Sequence, residues 1–114
     1  MSAAVVDLPL TQGSLFQIRL ALTDDLGDPQ DLTGYGIRGG VKNRYSDETA
    51  LITFTPVIVD ATGGLIDIDI LPSFTKDLPV TEAVYDIEKY FLTDAENVDK
   101  IVKGKFIINP EVTT

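Results

Sequence analysis

The side chains that move protons, attack carbonyls or hold ions are scarce in this chain. There is no Cys and no His, which removes the thiolate nucleophile, the thiolate metal site and the imidazole base or ligand. Asp67 and Asp69 stand two positions apart in an alternating stretch. On a strand their carboxylates would lie roughly 7 Å apart, within the range of paired glycosidase carboxylates. No aromatic platform or acid/base partner accompanies them, so they read as a solvated strand face. Asp24, Asp25, Asp28 and Asp31 crowd one turn. They lack the spacing and closing Glu of a calcium loop, and turn aspartates commonly accept bonds from nearby backbone amides. Ser14, Ser46 and Ser73 have no His partner and no Lys in a recognisable motif. Gly39-Gly40 and Gly63-Gly64 open no helix and so make no phosphate cradle. The expectation is a non-enzyme with no cofactor and no metal site.

Nine Lys and Arg stand against 18 Asp and Glu, for a net charge of -9. A field of that sign opposes nucleic acid. No apolar run approaches the ~20 residues that span a bilayer, and Met1 to Asp7 lack the basic and apolar regions of a signal peptide. Neither nucleic acid nor membrane is expected as a partner, and synthesis is expected in the cytoplasm. The length of 114 residues suits one domain, with residues 1–3 and 111–114 read as flexible tails.

The positioning elements follow from alternation. Val5 to Leu10 reads as a short strand (A), confined to an edge by Pro9. Ser14 to Asp24 (B) carries Phe16, Ile18, Leu20 and Leu22 on one parity. Tyr35, Ile37, Gly39 and Val41 point inward on a third strand (C), where Gly39-Gly40 suggests a bulge or a close backbone approach. Ala50 to Asp60 (D) is kinked at Pro56, after which Val57 and Val59 are expected inward. Asp60 to Gly64 signals a hairpin, and Ile66, Ile68 and Ile70 form strand E.

Pro72 to Leu78 suits one helical turn, capped by Ser73 or Thr75. Ala83 to Thr93 (F) is the central strand, with Tyr85, Ile87 and Phe91 inward and Asp86, Glu88 and Tyr90 outward. Lys89 interrupts the apolar series and must snorkel or sit near a rim. Tyr85, just past the corner at Leu78-Pro79, stands where immunoglobulin-like sandwiches place a tyrosine corner. Asp94 to Asn97 should turn the chain into the last strand (G), Asp99 to Asn109, with Val102, Gly104, Phe106 and Ile108 inward. Seven short strands without a long helix predict an all-β, antiparallel immunoglobulin-like β-sandwich, with A, B, D and E in one sheet and C, F and G in the other. A barrel or jelly roll would use the same pattern.

The C-F-G sheet then gathers Arg38, Lys42, Arg44, Lys103 and Lys105 on its outer face, with Asp86, Glu88 and Tyr90 among them. Two readings stand. Asp86 and Glu88 can pair with the flanking cations across the strands. Alternatively, a basic patch can meet an acidic patch on a neighbour, which favours heterologous, ring-forming contacts.

The order of the turn motifs resembles small β-sandwich virion structural proteins of tailed bacteriophages, including N-terminal domains of baseplate upper and tail-fibre-linked proteins. Leu10-Thr11-Gln12-Gly13, Asp24 to Pro29 and Asp31-Leu32-Thr33-Gly34-Tyr35 carry the likeness at the start. Asp60 to Gly64, Leu78-Pro79 before Tyr85-Asp86-Ile87-Glu88, and Gly104-Lys105 before Asn109 to Thr113 continue it. The chain departs from the pattern at Pro79 to Glu82, which lacks a Gly in the corner. The resemblance implies no catalytic residues. It implies a virion component of the tail, baseplate or fibre attachment, present in several copies and docked to other virion proteins. A head decoration protein and a carbohydrate-binding module contacting the host are the alternatives.

Overall fold

Ile66, Ile68 and Ile70 alternate with Asp67 and Asp69, and the strand they form, β7 (Leu65–Ile70), seals the three isoleucines in the core and turns the aspartates outward. On one side β7 pairs antiparallel with β3 (Phe16–Ala21), on the other with β6 (Val57–Asp60), making a three-stranded sheet in the order β3-β7-β6. The computed structural model describes residues 4–111, so residues 1–3 and 112–114, expected as tails, lie outside the described residues. Glu111 itself is tied down, its N–H donating to Gln12 Oε1 at 3.3 Å.

The facing sheet is built on a long hairpin, β8 (Thr81–Phe91) and β9 (Asp94–Asn109). β4 (Tyr35–Lys42) lies antiparallel on the other side of β8, followed by β5 (Ile52–Phe54). β1 (Ala4–Val5) and β2 (Leu8–Thr11) run parallel along the outer edge of β9. Between the sheets Val41, Ile66, Ile68, Tyr85, Ile87, Phe106 and Ile108 are fully buried. Phe106 is the hub, with the rings of Phe16, Phe54 and Tyr85 centred 5.5, 6.1 and 6.1 Å away in tilted or edge-on arrangements that suit aromatic quadrupoles. The all-β sandwich is the fold.

The sheet membership departs from the expected A-B-D-E and C-F-G division. Strand A joins the sheet of F and G, because pairing beside β9 buries Leu8 and Leu10 next to Phe106 and Ile108. The turn after it then crosses between sheets instead of closing a hairpin. It is held by Gln12 N–H on the Asn109 carbonyl (3.0 Å), Gln12 Nε2 on the Leu78 carbonyl (2.5 Å) and the Thr75 hydroxyl on the Ser14 carbonyl (2.9 Å). Strand D divides at Thr55-Pro56. Its first half pairs with β4 and its second with β7, since proline cannot donate to a continuing ladder. The break also resets the parity, so that Ile58 packs on the core while Val57 and Val59 are exposed.

Three smaller expectations are corrected. The helical turn α1 (Pro72–Thr75) follows Leu71 and has no side-chain cap; Thr75 instead buries its hydroxyl against Ser14. The chain reverses at Leu92-Thr93, and Ala95 to Asn97 bulge out of register before Val98 resumes opposite Tyr90. Lys89 neither snorkels nor reaches a rim. It is buried, with Nζ donating to Gln30 Oε1 at 3.2 Å and lying 4.5 Å from the centre of the Tyr35 ring. An amide oxygen and an aromatic face together replace the water that an ammonium loses on burial. Gly39-Gly40 forms no bulge but does allow the close approach: a Cβ on Gly39 would stand 2.4 Å from the Asp86 carbonyl oxygen.

Candidate docking face

The outer face of the larger sheet is a grid set by register. Reading across β4, β8 and β9, its rows are Lys42, Val84 and Lys105; Gly40, Asp86 and Lys103; Arg38, Glu88 and Lys100; and Gly36, Tyr90 and Val98. Seven of the eight residues expected on this face stand in that grid. Arg44 does not, because β4 ends at Lys42 and Arg44 lies in the following loop, its N–H donating to Asp47 Oδ2 at 3.1 Å.

The centre of the grid is an ion-pair network. Glu88 takes Arg38 Nε on one oxygen at 2.5 Å and Lys100 Nζ on the other at 2.6 Å, while Lys100 also reaches Asp86 at 2.9 Å. Arg38 lies over the Tyr90 ring, 4.7 Å from its centre, where the negative face of the ring attracts it. Tyr90 can lie there because Gly36 beneath it has no side chain; a Cβ would stand 2.4 Å from the ring. Burial alone would push the Glu88 carboxyl up, yet Lys100 and Arg38 hold it below its ordinary value of 4.5. Burial likewise opposes the charge on Lys100, and Glu88 and Asp86 raise it all the same.

Lys100 was not among the expected site residues. A bulge explains why: Ile87 pairs with Val102 and Glu88 with Lys100, so Ile101 is extra. Ile101 and Val102 both bury their side chains, and the parity upstream is inverted. Two successive apolar residues between lysines are the signal in the sequence. Lys105 pairs only loosely with Glu82, at 3.9 Å. Lys42, Arg44 and Lys103 make no ion pair among the described residues. A cleft of about 170 Å³ lies among Gly40, Lys42, Tyr45, Asp86 and Lys100.

The folded-state pKa of Glu88 is depressed, so its contribution is whole above the unfolded value and is lost as pH falls through the folded one. Glu88→Gln should therefore cost about 1–2 kcal/mol at neutral pH, between an exposed and a buried pair. It should also flatten the acid-side decline of the melting temperature below 4.5, which thermal melts across that range will measure.

Several other carboxylates are taken up by neighbouring groups. Asp24 Oδ1 accepts the Leu26 and Asp28 N–H groups at 2.9 and 3.0 Å. Asp31 Oδ1 accepts Thr33 N–H at 2.9 Å, and this bonding to Thr33 lowers its pKa. Asp60 closes the Thr62-Gly63 turn. Asp67 is clamped by both Arg19 Nε (2.7 Å) and its second nitrogen (3.0 Å), a fork that fits a carboxylate. No family model matches the chain, and no curated protein is detectably similar to it in sequence.

Proposed function

We propose that this protein is a non-enzymatic structural protein of a bacteriophage virion, an adaptor of the tail, baseplate or fibre attachment that docks on neighbouring subunits. The observation that carries the docking mechanism is the division of labour on the outer face. Glu88 and Asp86 fix Arg38 and Lys100 at the centre, while Lys42, Arg44 and Lys103 have no ion pair among the described residues. A rigid centre with free cations around it presents positive charge at low conformational cost, and a neighbour with an acidic patch is its complement. The ordered turn motifs support the virion setting.

Two measurements test this reading. Mass spectrometry and cryo-electron microscopy of gradient-purified particles should place the protein at the tail, baseplate or fibre attachment. Its absence from particles would sink the reading, and density on the head would make it a decoration protein. Lys103→Glu combined with Arg44→Glu should weaken incorporation without moving the melting temperature, since neither residue has an ion pair among the described residues. Unchanged incorporation would exclude this face.

A further inference from the structure

An open β-sandwich has free strand edges, and natural proteins blunt them with short strands, proline, bulges or inward charge. Among the described residues the free edges other than that of β3 are blunted in these ways, the open side of β9 before Val102 by its bulges at Ile101 and Ala95 to Asn97. β1 has 2 residues and β5 has 3. β2 contains Pro9. β6 has 4 residues, follows Pro56 and loses register between Ile58 and Asp60. By contrast β3 has none of these devices: it runs 6 residues in unbroken register with β7 and pairs with no other described strand on its far side.

The core is also unfinished along that edge. Phe16, Ile18 and Leu20 point inward but are only half-buried, whereas Ile66, Ile68 and Ile70 opposite them are sealed. A groove of about 360 Å³ separates β2 from β3, with Leu8, Leu10, Phe16 and Ile18 in its walls and Leu15 exposed beside it. One added strand would satisfy every second backbone N–H and C=O of β3 and cover these side chains.

We propose that this strand is β3 of a second copy, paired antiparallel about a two-fold axis with Ile18 opposite Ile18, so that two three-stranded sheets become one. Charge and parity choose both occupant and register. In this register Phe16 lies opposite Leu20, and Gln17 lies opposite Arg19 of the second copy. Asp69, which has no ion pair among the described residues, is the β7 neighbour of Gln17. The row across the seam is thus Asp69, Gln17, then Arg19 and Asp67 of the second copy, a cation placed between carboxylates. Sliding one way to the next register of the same parity sets Arg19 against Arg19, which like charge disfavours; sliding the other way leaves only Phe16 to Ile18 of the six-residue strand overlapped. Registers of the other parity turn the apolar faces apart. The contact is separate from the outer-face docking above and uses none of its residues.

Light scattering on the purified chain tests it. The mass should rise with concentration from 12.4 kDa towards twice that value. Because each copy carries -9, the dimer fraction should rise with added salt, which screens the repulsion. Opposed residues of an antiparallel pair have Cα atoms about 4.5–5.5 Å apart, within disulfide reach. In this cysteine-free chain, Ile18→Cys should therefore give a covalent dimer on oxidation, and Arg19→Cys should give none. Leu20→Lys should return the monomer while keeping the β-sheet circular dichroism. A wild-type monomer at millimolar concentration in high salt would overturn the proposal, as would Arg19→Cys linking as readily as Ile18→Cys. The wild-type mass decides the matter even where a variant fails to fold, and particle incorporation is read in a different experiment.

Discussion

Replacing Tyr85 with Ala should lower the unfolding free energy by about 3–5 kcal/mol, the cost of truncating a sealed aromatic. The ring lies at the centre of the core, edge-on to Phe54 and Phe106 with centroids 6.3 and 6.1 Å away. Its hydroxyl donates to the Val6 carbonyl at 2.6 Å. That bond is the counterpart of the expected tyrosine corner, but it reaches the N-terminal segment across the sheet rather than the chain just upstream. Tyr85→Phe keeps the ring and deprives the carbonyl of its donor, and should cost about 1–2 kcal/mol. Chemical denaturation of both variants separates packing from bonding; a loss below about 1 kcal/mol for the alanine would mean the strand is not central. Alkali gives a third readout. Burial, with help from Asp7 and Tyr45, pushes the Tyr85 phenol from 10.0 up to about 12. The unfolded chain ionises first, so this contribution is whole below pH 10.0 and drains away between 10.0 and about 12, by about 1.4 kcal/mol per pH unit. Tyr85→Phe should lack that decline.

The second large effect belongs to Gly104. It faces Tyr85 across the β8–β9 ladder, and a Cβ there would stand 2.0 Å from the Val6 carbonyl oxygen. The obstacle is backbone, so no rotamer relieves it. Gly104→Val should therefore push Val6 off β9, break the Tyr85 bond and the Val6 N–H bond to the Lys103 carbonyl (2.9 Å), and cost about 3 kcal/mol or more. Hydrogen exchange should show Val5 and Val6 amides losing protection before the rest of the sheet. Unchanged exchange and melting would mean that the N-terminal segment holds by other contacts.

Parity was the legible part of this fold. The alternations at Phe16 to Leu22 and Ile66 to Ile70 named both strand and buried face, because one face of each meets the core and the other does not. Partner choice was not legible. Nothing in Val5 to Leu10 says whether it lies beside strand B or strand G; that depends on Gly104 opening a path for Val6 and on Leu8 and Leu10 meeting Phe106 and Ile108. Breaks in parity were missed for a related reason. The sheet switch at Pro56 and the bulge at Ile101 each invert the phase, exposing Val57 and bringing Lys100 onto the outer face. Lys89 shows the limit of residue type: a lysine on the inward parity reads as a rim residue until Gln30 and Tyr35 are seen to enclose it. Of the proposed face, the strand residues were found by parity, Arg44 fell past the strand end, and Lys100, which ties Asp86 to Glu88, was hidden by the bulge.

The parallel pairing of β2 with β9 has a mechanical consequence. β2 enters the sheet near the start of the chain and β9 leaves it near the end, with Leu8 to Thr11 in step with Phe106 to Asn109. Tension applied between the two ends of the chain pulls these strands past each other along their length. Their hydrogen bonds then bear the load together, whereas a hairpin pulled from its open end would unzip one bond at a time. Force spectroscopy should accordingly find this domain a stiff link, yielding at one high force peak, with β2 and β9 as its latch.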